Sequence, residues 1–252
     1  MKYFNKKQDT IILLTACVNP SGMSSTKLQD TEVRLEQYKK ALTFYLSETP
    51  YKILFVENSS YDFSNEFSTY INDGRLEYIT FSGNNYNLSL GKGYGEAQIL
   101  LYAIENSSFL KKASTIIKIT GRIIVENTMQ LSAISNISSK KNVAIACNIR
   151  PSKKLGTSTF FICKKVFLIK YFLPSINGIN DTKGIWFEHV LYKAIINCKQ
   201  EKEGDCMIFS RPLKIKGIAG TTSAPYPKTN LCDYILSFMA ALLHNKLGYM
   251  KF

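Results

Sequence analysis

The sequence predicts an α/β chain built on a doubly wound, mostly parallel sheet flanked by helices, with a helical appendage at the C-terminal end. Two observations predict the sheet. Short apolar runs alternate with amphipathic segments through the first half, and the runs are apolar at consecutive positions, as strands are when both faces are covered. Composition sets the scale. A chain of 252 residues, 45% hydrophobic and 20% charged, suffices for one large core and is not a disordered polymer.

Thr10–Val18, with Ile11, Ile12, Leu13 and Leu14, reads as the first strand. Asp30–Leu46 follows as a helix: Leu35, Tyr38, Leu42 and Tyr45 fall on one face, Asp30 or Thr31 supplies a cap, and Lys39 and Lys40 suit the later turns. Tyr51–Glu57, Leu76–Phe81 and Thr115–Thr120 are the next strands. A short helix over Phe63–Ile71 and a longer one over Tyr94–Ser107 separate them. Repeated β-α-β units imply parallel strands with helices on both faces. The second half is less regular. Asn142–Ile149 and Thr157–Cys163 are expected strands, Gly184–Cys198 a helix, and Met207–Phe209 and Leu213–Ile218 short strands. Leu231–Leu247 is a last helix, with Ile235, Phe238, Met239, Leu242 and Leu243 as an apolar stripe. The expected division is a main domain over 1–228 and an amphipathic helix over 229–252.

Thirty-two Lys and Arg against 19 Asp and Glu give a net charge of +13, which favours polyanions: nucleic acid, an anionic membrane face or phosphorylated substrates. None of the six cysteines forms a C-x-x-C pair, and several sit in apolar runs, as Cys17 and Cys147 do. They read as reduced core thiols, and so the chain as cytoplasmic. Met1–Lys7 lacks the apolar stretch of a signal peptide, and no apolar run approaches the ~18–20 residues of a membrane span.

Five stretches could carry chemistry. Gly91-Lys92-Gly93-Tyr94-Gly95-Glu96-Ala97 opens a helix after a loop: glycines let backbone approach an anion, a helix N-terminus presents N–H groups, and Lys92 adds charge. It is neither a Walker A nor a dinucleotide fingerprint, and it reads equally as a tight turn. Thr120-Gly121-Arg122 ends a strand where open α/β sheets bind ligands, so Arg122 faces either a diphosphate or carboxylate in the crevice or a surface salt-bridge partner. Glu57-Asn58-Ser59-Ser60 ends another strand and offers acceptors for ribose hydroxyls or a base edge, or simply a turn. Glu188, between Phe187 and His189 and close to Trp186, is partly desolvated, which suits a general base as well as a plain helix carboxylate. Glu201, Glu203 and Asp205 could hold a divalent ion but fit a solvated loop better. No histidine pair has metal-ligand spacing and no G-x-S-x-G occurs.

In order and spacing, these segments resemble bacterial surface-polysaccharide glycosyltransferases of the GT-A-like kind, which build lipopolysaccharide O-antigen or capsule. The stretches that carry the resemblance are Ile53–Ser59, Gly91–Ala97, Lys118–Arg122 and Gly184–His189, with Lys216–Thr221 as a weaker fifth; it spans roughly residues 10–226. It implies a nucleotide-sugar donor, a glycan or lipid-linked oligosaccharide acceptor, and transfer between them. Thr15, Ala16, Glu57 and Asn58 would face the nucleoside, and Gly91, Lys92, Gly93 and Glu96 would border the donor pocket. The turn of Thr120, Gly121 and Arg122 stands where such enzymes usually carry Asp-x-Asp for a metal, and this chain has no Asp-x-Asp. That departure implies transfer without a metal cofactor, Arg122 and Lys92 offsetting the diphosphate charge. Mn²⁺ or Mg²⁺ is the alternative. Glu188 falls where inverting members place a base, with His189 replacing the second acid of their Glu-Asp pair. The resemblance also suits a C-terminal helix, with Lys246 and Lys251 near its end, that either lies on the anionic inner membrane or packs on the core.

Two rival readings stand beside it. Basic charge with 15 Tyr and 15 Phe would suit a nucleic-acid-binding module, but the lysines are scattered and no recognition motif appears. A nucleotidyltransferase would share the sheet, but it usually needs paired carboxylates for magnesium.

Overall fold

The computed structural model describes residues 9–23, 26–131, 142–220 and 222–247. Met1–Lys7, Thr221 and Lys251, named above, lie outside the described residues. The first half follows the expected alternation: β1 (Thr10–Ala16), α1 (Thr31–Glu48), β2 (Lys52–Glu57), α2 (Ser68–Asn72), β3 (Leu76–Thr80), α3 (Lys92–Asn106), α4 (Ser108–Lys112) and β4 (Thr115–Thr120), with a short α5 (Thr128–Leu131) after it. Asp30 caps α1, its side chain accepting from the Val33 N–H at 3.0 Å.

The central sheet has seven strands in the order β10-β6-β9-β4-β1-β2-β3, where β6 is Val143–Ala146, β9 Phe160–Lys164 and β10 Asp205–Met207. Only β9 runs antiparallel to its neighbours β4 and β6. The chain steps outward from β1 to β2 to β3, then crosses back to place β4 on the other side of β1, so a topological switch lies between β1 and β4.

Strands buried on both faces explain the near-continuous apolar runs. Ile11 and Leu13 of β1 join Leu54 and Val56 of β2 in a core under α3 and α6 (Phe187–Gln200), whereas Ile12, Leu14, Ile53 and Phe55 pack under α1 with Leu35, Tyr38, Leu42 and Tyr45. Lys118 breaks the apolar run of β4 and is nonetheless fully buried.

The second half departs further from expectation. The segment read as one strand over Thr157–Cys163 begins as a bend, and a small hairpin of β7 (Ile149–Arg150) and β8 (Leu155–Gly156) precedes it. Of Leu213–Ile218, β11 (Ile215–Lys216) pairs with β5 (Ile124–Val125), and Ile218 makes an isolated antiparallel bridge to Pro225. Helix α6 starts at Phe187 rather than Gly184, because Asn180 and Ile185 close a tight bridge immediately before it. The cysteines are free thiols; Cys147, Cys163, Cys198 and Cys206 are buried, but Cys17 is half-buried and Cys232 exposed, so those two are not core residues. The last helix, α7 (Leu231–Leu247), leaves its expected stripe exposed, and among the described residues no helix is long and apolar enough to cross a membrane.

Candidate active site

The crevice outside the carboxyl ends of β1 and β4 is where the switch in strand order parts the following loops. A cavity of about 550 Å³ opens there, walled by the ends of both strands, the start of α3, the β8–β9 segment and the start of α6. Nine of the thirteen residues singled out in the sequence line it: Thr15, Ala16, Asn58, Lys92, Gly93, Glu96, Thr120, Arg122 and Glu188. Glu57, Gly91, Gly121 and His189 do not.

On the cavity floor, Thr15 and Thr120 are register partners on adjacent strands, and both hydroxyls donate to Glu96 Oε1, at 2.8 and 3.2 Å. The same oxygen receives the Lys118 ammonium at 2.5 Å. Lys118 also donates to the Ser158 carbonyl at 2.6 Å and lies 5.6 Å from the Phe187 ring. Burial pushes the Glu96 carboxyl toward its neutral form, but the charge and hydrogen bond of Lys118 and the Thr15 hydroxyl outweigh it and hold the group below the usual glutamate range. Lys118 was not among the sequence candidates. Its signal was a single lysine inside the otherwise apolar Thr115–Thr120 run.

Glu57 was expected to meet a nucleoside; the structure turns it inward instead. Its carboxylate is wholly buried and accepts the N–H groups of Val18, Ser59 and Tyr61 at 2.9 Å each, the Thr80 hydroxyl at 3.0 Å and the Ser59 hydroxyl. It thereby ties the loops after β1 and β2 to the end of β3. The loop after β1 is strapped a second time by α1, whose Arg34 Nε donates to the Cys17 carbonyl at 2.9 Å and whose Tyr38 hydroxyl accepts the Cys17 N–H at 2.9 Å. Its neighbour Asn58 does line the cavity. That amide is 1% exposed, and both its oxygen and its nitrogen lack a protein partner. A buried amide left in that state is a docking point for a ligand with one donor and one acceptor.

The α3 N-terminus differs most from expectation. Its Gly93 N–H meets not an open anion site but the Asp181 carboxylate, which accepts it at 3.3 Å. Gly91, at φ +87°, and Gly93 are needed for that approach: a Cβ on Gly91 would stand 2.3 Å from Asp181 Oδ2, and one on Gly93 2.9 Å from Oδ1. The chain's own acid therefore occupies the positive end of the helix. Asp181 Oδ1 is buried without a partner, and burial raises the carboxyl pKa against the opposing pull of the Gly93 hydrogen bond and Lys92. Asp181 was also missed in the sequence, where no helix or strand marked it.

Lys92, the first residue of α3, is pushed below the usual lysine range by burial, partly offset by the fields of Glu96, Glu188 and Asp181. Across the cavity, Arg122 is 9% exposed, its Nη1 donating to the Gln37 side chain at 3.0 Å and to the Ile218 carbonyl at 3.2 Å. Gly121 allows this turn to close: its N–H bonds the Thr15 carbonyl at 2.9 Å, and a Cβ would come within 2.8 Å of that oxygen. Glu188 accepts from the Ser158 hydroxyl at the start of α6. His189 packs against the Trp186 ring, 5.1 Å between centroids. Its Nδ1 accepts the Trp186 N–H at 3.1 Å and so closes the α6 N-terminus, and it is not among the residues lining the cavity.

The β4 turn does not fit a divalent cation. It presents a hydroxyl at Thr120, a guanidinium at Arg122 and, beneath them, the Lys118 ammonium paired with Glu96, so the turn offers a metal ion one carboxylate, already held by a cation, in place of an acidic pair. Among the described residues no three His, Cys, Asp or Glu side chains converge to hold a metal. Glu201 and Glu203 lie outside the cavity and pair with Lys170 at 3.6 and 2.9 Å, and Asp205 begins β10.

No protein-family model matches the chain, and a search of curated proteins finds no relative. Solved structures similar to it include a protein of Desulfovibrio desulfuricans G20 described as a nucleotide-diphospho-sugar transferase (9% identity, 79% of this chain and 80% of that one, TM-score 0.48). A cytidylyltransferase from Leptospira borgpetersenii is 12% identical over 79% of this chain and 76% of that one, with a TM-score of 0.45. The mannosyltransferase Ktr4p from S. cerevisiae is 12% identical over 90% and 74%, with a TM-score of 0.44. Such distant likenesses assign no activity, and the cavity itself has to carry the functional reading.

Proposed function

We propose that this chain is a GT-A-like glycosyltransferase that moves a sugar from a nucleotide-sugar donor to a hydroxyl of a growing, lipid-linked bacterial surface glycan such as O-antigen or capsule, on the cytoplasmic side. The observation that carries the reading is the single cavity holding Arg122 and Lys92 together with Glu188 and an unpartnered Asn58 amide. Main domain 1–228 would contain it, with 229–252 as an appendage.

In this reading the base edge meets Asn58, and the diphosphate lies between Arg122 and Lys92 over the Thr15–Thr120 floor. The helix N-terminus does not take the phosphate, since the Asp181 carboxyl already accepts the Gly93 N–H there; Asp181 Oδ1 is left for a sugar hydroxyl. Glu188 takes the proton of the acceptor hydroxyl as its oxygen attacks the anomeric carbon. The bond from that carbon to the diphosphate oxygen breaks, and the diphosphate leaves with the electron pair, its charge met by the two cations. The donor set of the β4 turn supports doing so without a metal.

The test is turnover of a panel of nucleotide sugars with bacterial glycan acceptors, monitoring nucleoside diphosphate. Glu188→Gln should reduce turnover by about 10²–10⁴-fold, the usual contribution of a general base, while leaving nucleotide affinity within twofold. Pyrophosphate release from a nucleoside triphosphate instead would identify nucleotidyl transfer and defeat this reading.

A further inference from the structure

Helix α7 is amphipathic in the inverse sense. Tyr234, Ser237, Ala241 and His244, spaced three and four apart, form the stripe that meets the body: Ala241 is 4% exposed, His244 Nε2 stands 2.7 Å from the Cys206 carbonyl, and Lys214 lies over the Tyr234 ring. The bulky apolar residues point the other way. Leu231, Ile235, Leu236, Phe238, Met239, Leu242 and Leu243 are 38–75% exposed. At about 100° per residue these seven sweep an arc of roughly 160°. Their combined exposed area is roughly 700 Å², above the ~300–600 Å² of the largest patch on a typical monomer.

We propose that this face docks on an anionic lipid bilayer, the helix lying in the interfacial plane. Two observations choose lipid over a second copy. A partner helix covers a narrow seam of a and d positions, whereas an arc this wide is covered by immersion. The segment that carries the helix is also basic in sequence: residues 206–252 contain six Lys or Arg and one acid, Asp233, with Lys216 paired to Glu126 and Asp205 placed beside His244 on the inner stripe. That acid is engaged at the helix start, where Asp233 Oδ2 accepts the Asn230 N–H at 2.8 Å and Asn230 Oδ1 accepts the Asp233 N–H at 3.1 Å. A chain carrying +13 repels its own copies and is drawn to an anionic leaflet. The helix has 17 residues and is fixed to the body along its inner stripe, so it lies on the surface instead of spanning it. The inference stands apart from the transfer chemistry, since a chain that moved no sugar would still bind vesicles.

Flotation of the full chain with phosphatidylglycerol–phosphatidylcholine vesicles tests it, against phosphatidylcholine alone. Ile235→Glu/Met239→Glu charges the middle of the arc at two side chains that are 51% and 53% exposed. Wild type should float with the anionic vesicles, at least tenfold less with neutral ones or in high salt, and the double variant should lose at least tenfold. A Met239→Trp reporter adds no charge and keeps the test decisive if the double variant melts early: its emission should shift to the blue on vesicles and be quenched by brominated acyl chains. Equal flotation of wild type and double variant, or an unquenched reporter, overturns the proposal. So does equal flotation on neutral lipid. A wild-type dimer that ignores vesicles and is split by the double substitution would place a second copy on this face instead.

Discussion

The Lys118–Glu96 pair is the most exacting prediction about stability. Lys118 has no exposed side-chain surface, while the Glu96 side chain keeps 20%. Replacing Glu96 by Leu leaves a dry ammonium with only the Ser158 carbonyl and the Thr120 hydroxyl, so it should cost near the upper end of the ~3–5 kcal/mol typical of breaking a buried pair. Lys118→Met leaves a carboxylate that still accepts from Thr15 and Thr120 and retains some solvent, so it should fall near the lower end, about 3 kcal/mol. The double variant Lys118→Met/Glu96→Leu removes both charges and should return to within about 2 kcal/mol of wild type. At roughly 2 °C per kcal/mol for a chain of this length, thermal denaturation followed by circular dichroism should show losses of about 10 °C and 6 °C for the single variants and under about 4 °C for the double. The pH dependence has a definite sign. A carboxyl held below its ordinary value of 4.5 contributes stability above that value and loses it as pH falls, so the wild-type advantage over Glu96→Leu should shrink progressively below pH 4.5. Additive losses in the double variant would refute the coupling.

Other consequences follow from the same geometry. Gly93→Ala should lower stability by about 1–3 kcal/mol through overpacking against Asp181, and Asp181→Ala in the same chain should recover part of the loss; urea titration of the two variants measures it. Lys92, depressed by burial, should lose its proton below the ordinary lysine value of 10.5, so affinity for a nucleoside diphosphate should fall as pH rises through that lower value, and Lys92→Met should abolish this pH dependence. Glu188→Gln separates chemistry from binding, as set out above.

The parallel half of the sheet was legible because burial on both faces writes itself as unbroken apolar runs, and β4 matched its expected bounds. The crevice was legible for the same reason, since strand ends locate the carboxyl edge. What escaped was whatever depends on distant chain closing over that edge. Glu57 ends a strand, as a ligand-binding acid would, yet two loops and the end of β3 converge to bury it. The glycines at 91 and 93 read as a close approach by a bound anion, but the group that approaches is the chain's own Asp181, 88 residues away in sequence from Gly93. Lys118 was hidden by its own position, because a lysine in a strand reads as a surface residue until its carboxylate partner is seen. His189 shows the converse: a rare residue type drew attention, and a local backbone hydrogen bond accounts for it.

Calorimetric titration of wild type and Arg122→Ala with UDP, GDP and CMP, in EDTA and then with Mn²⁺, tests the central claim most directly. The account predicts micromolar binding of one nucleotide by wild type, unchanged by EDTA, and a loss of about 10–100-fold in Arg122→Ala, the worth of one charge-assisted contact. Absence of nucleotide binding under every condition, or equal binding by the variant, would contradict it.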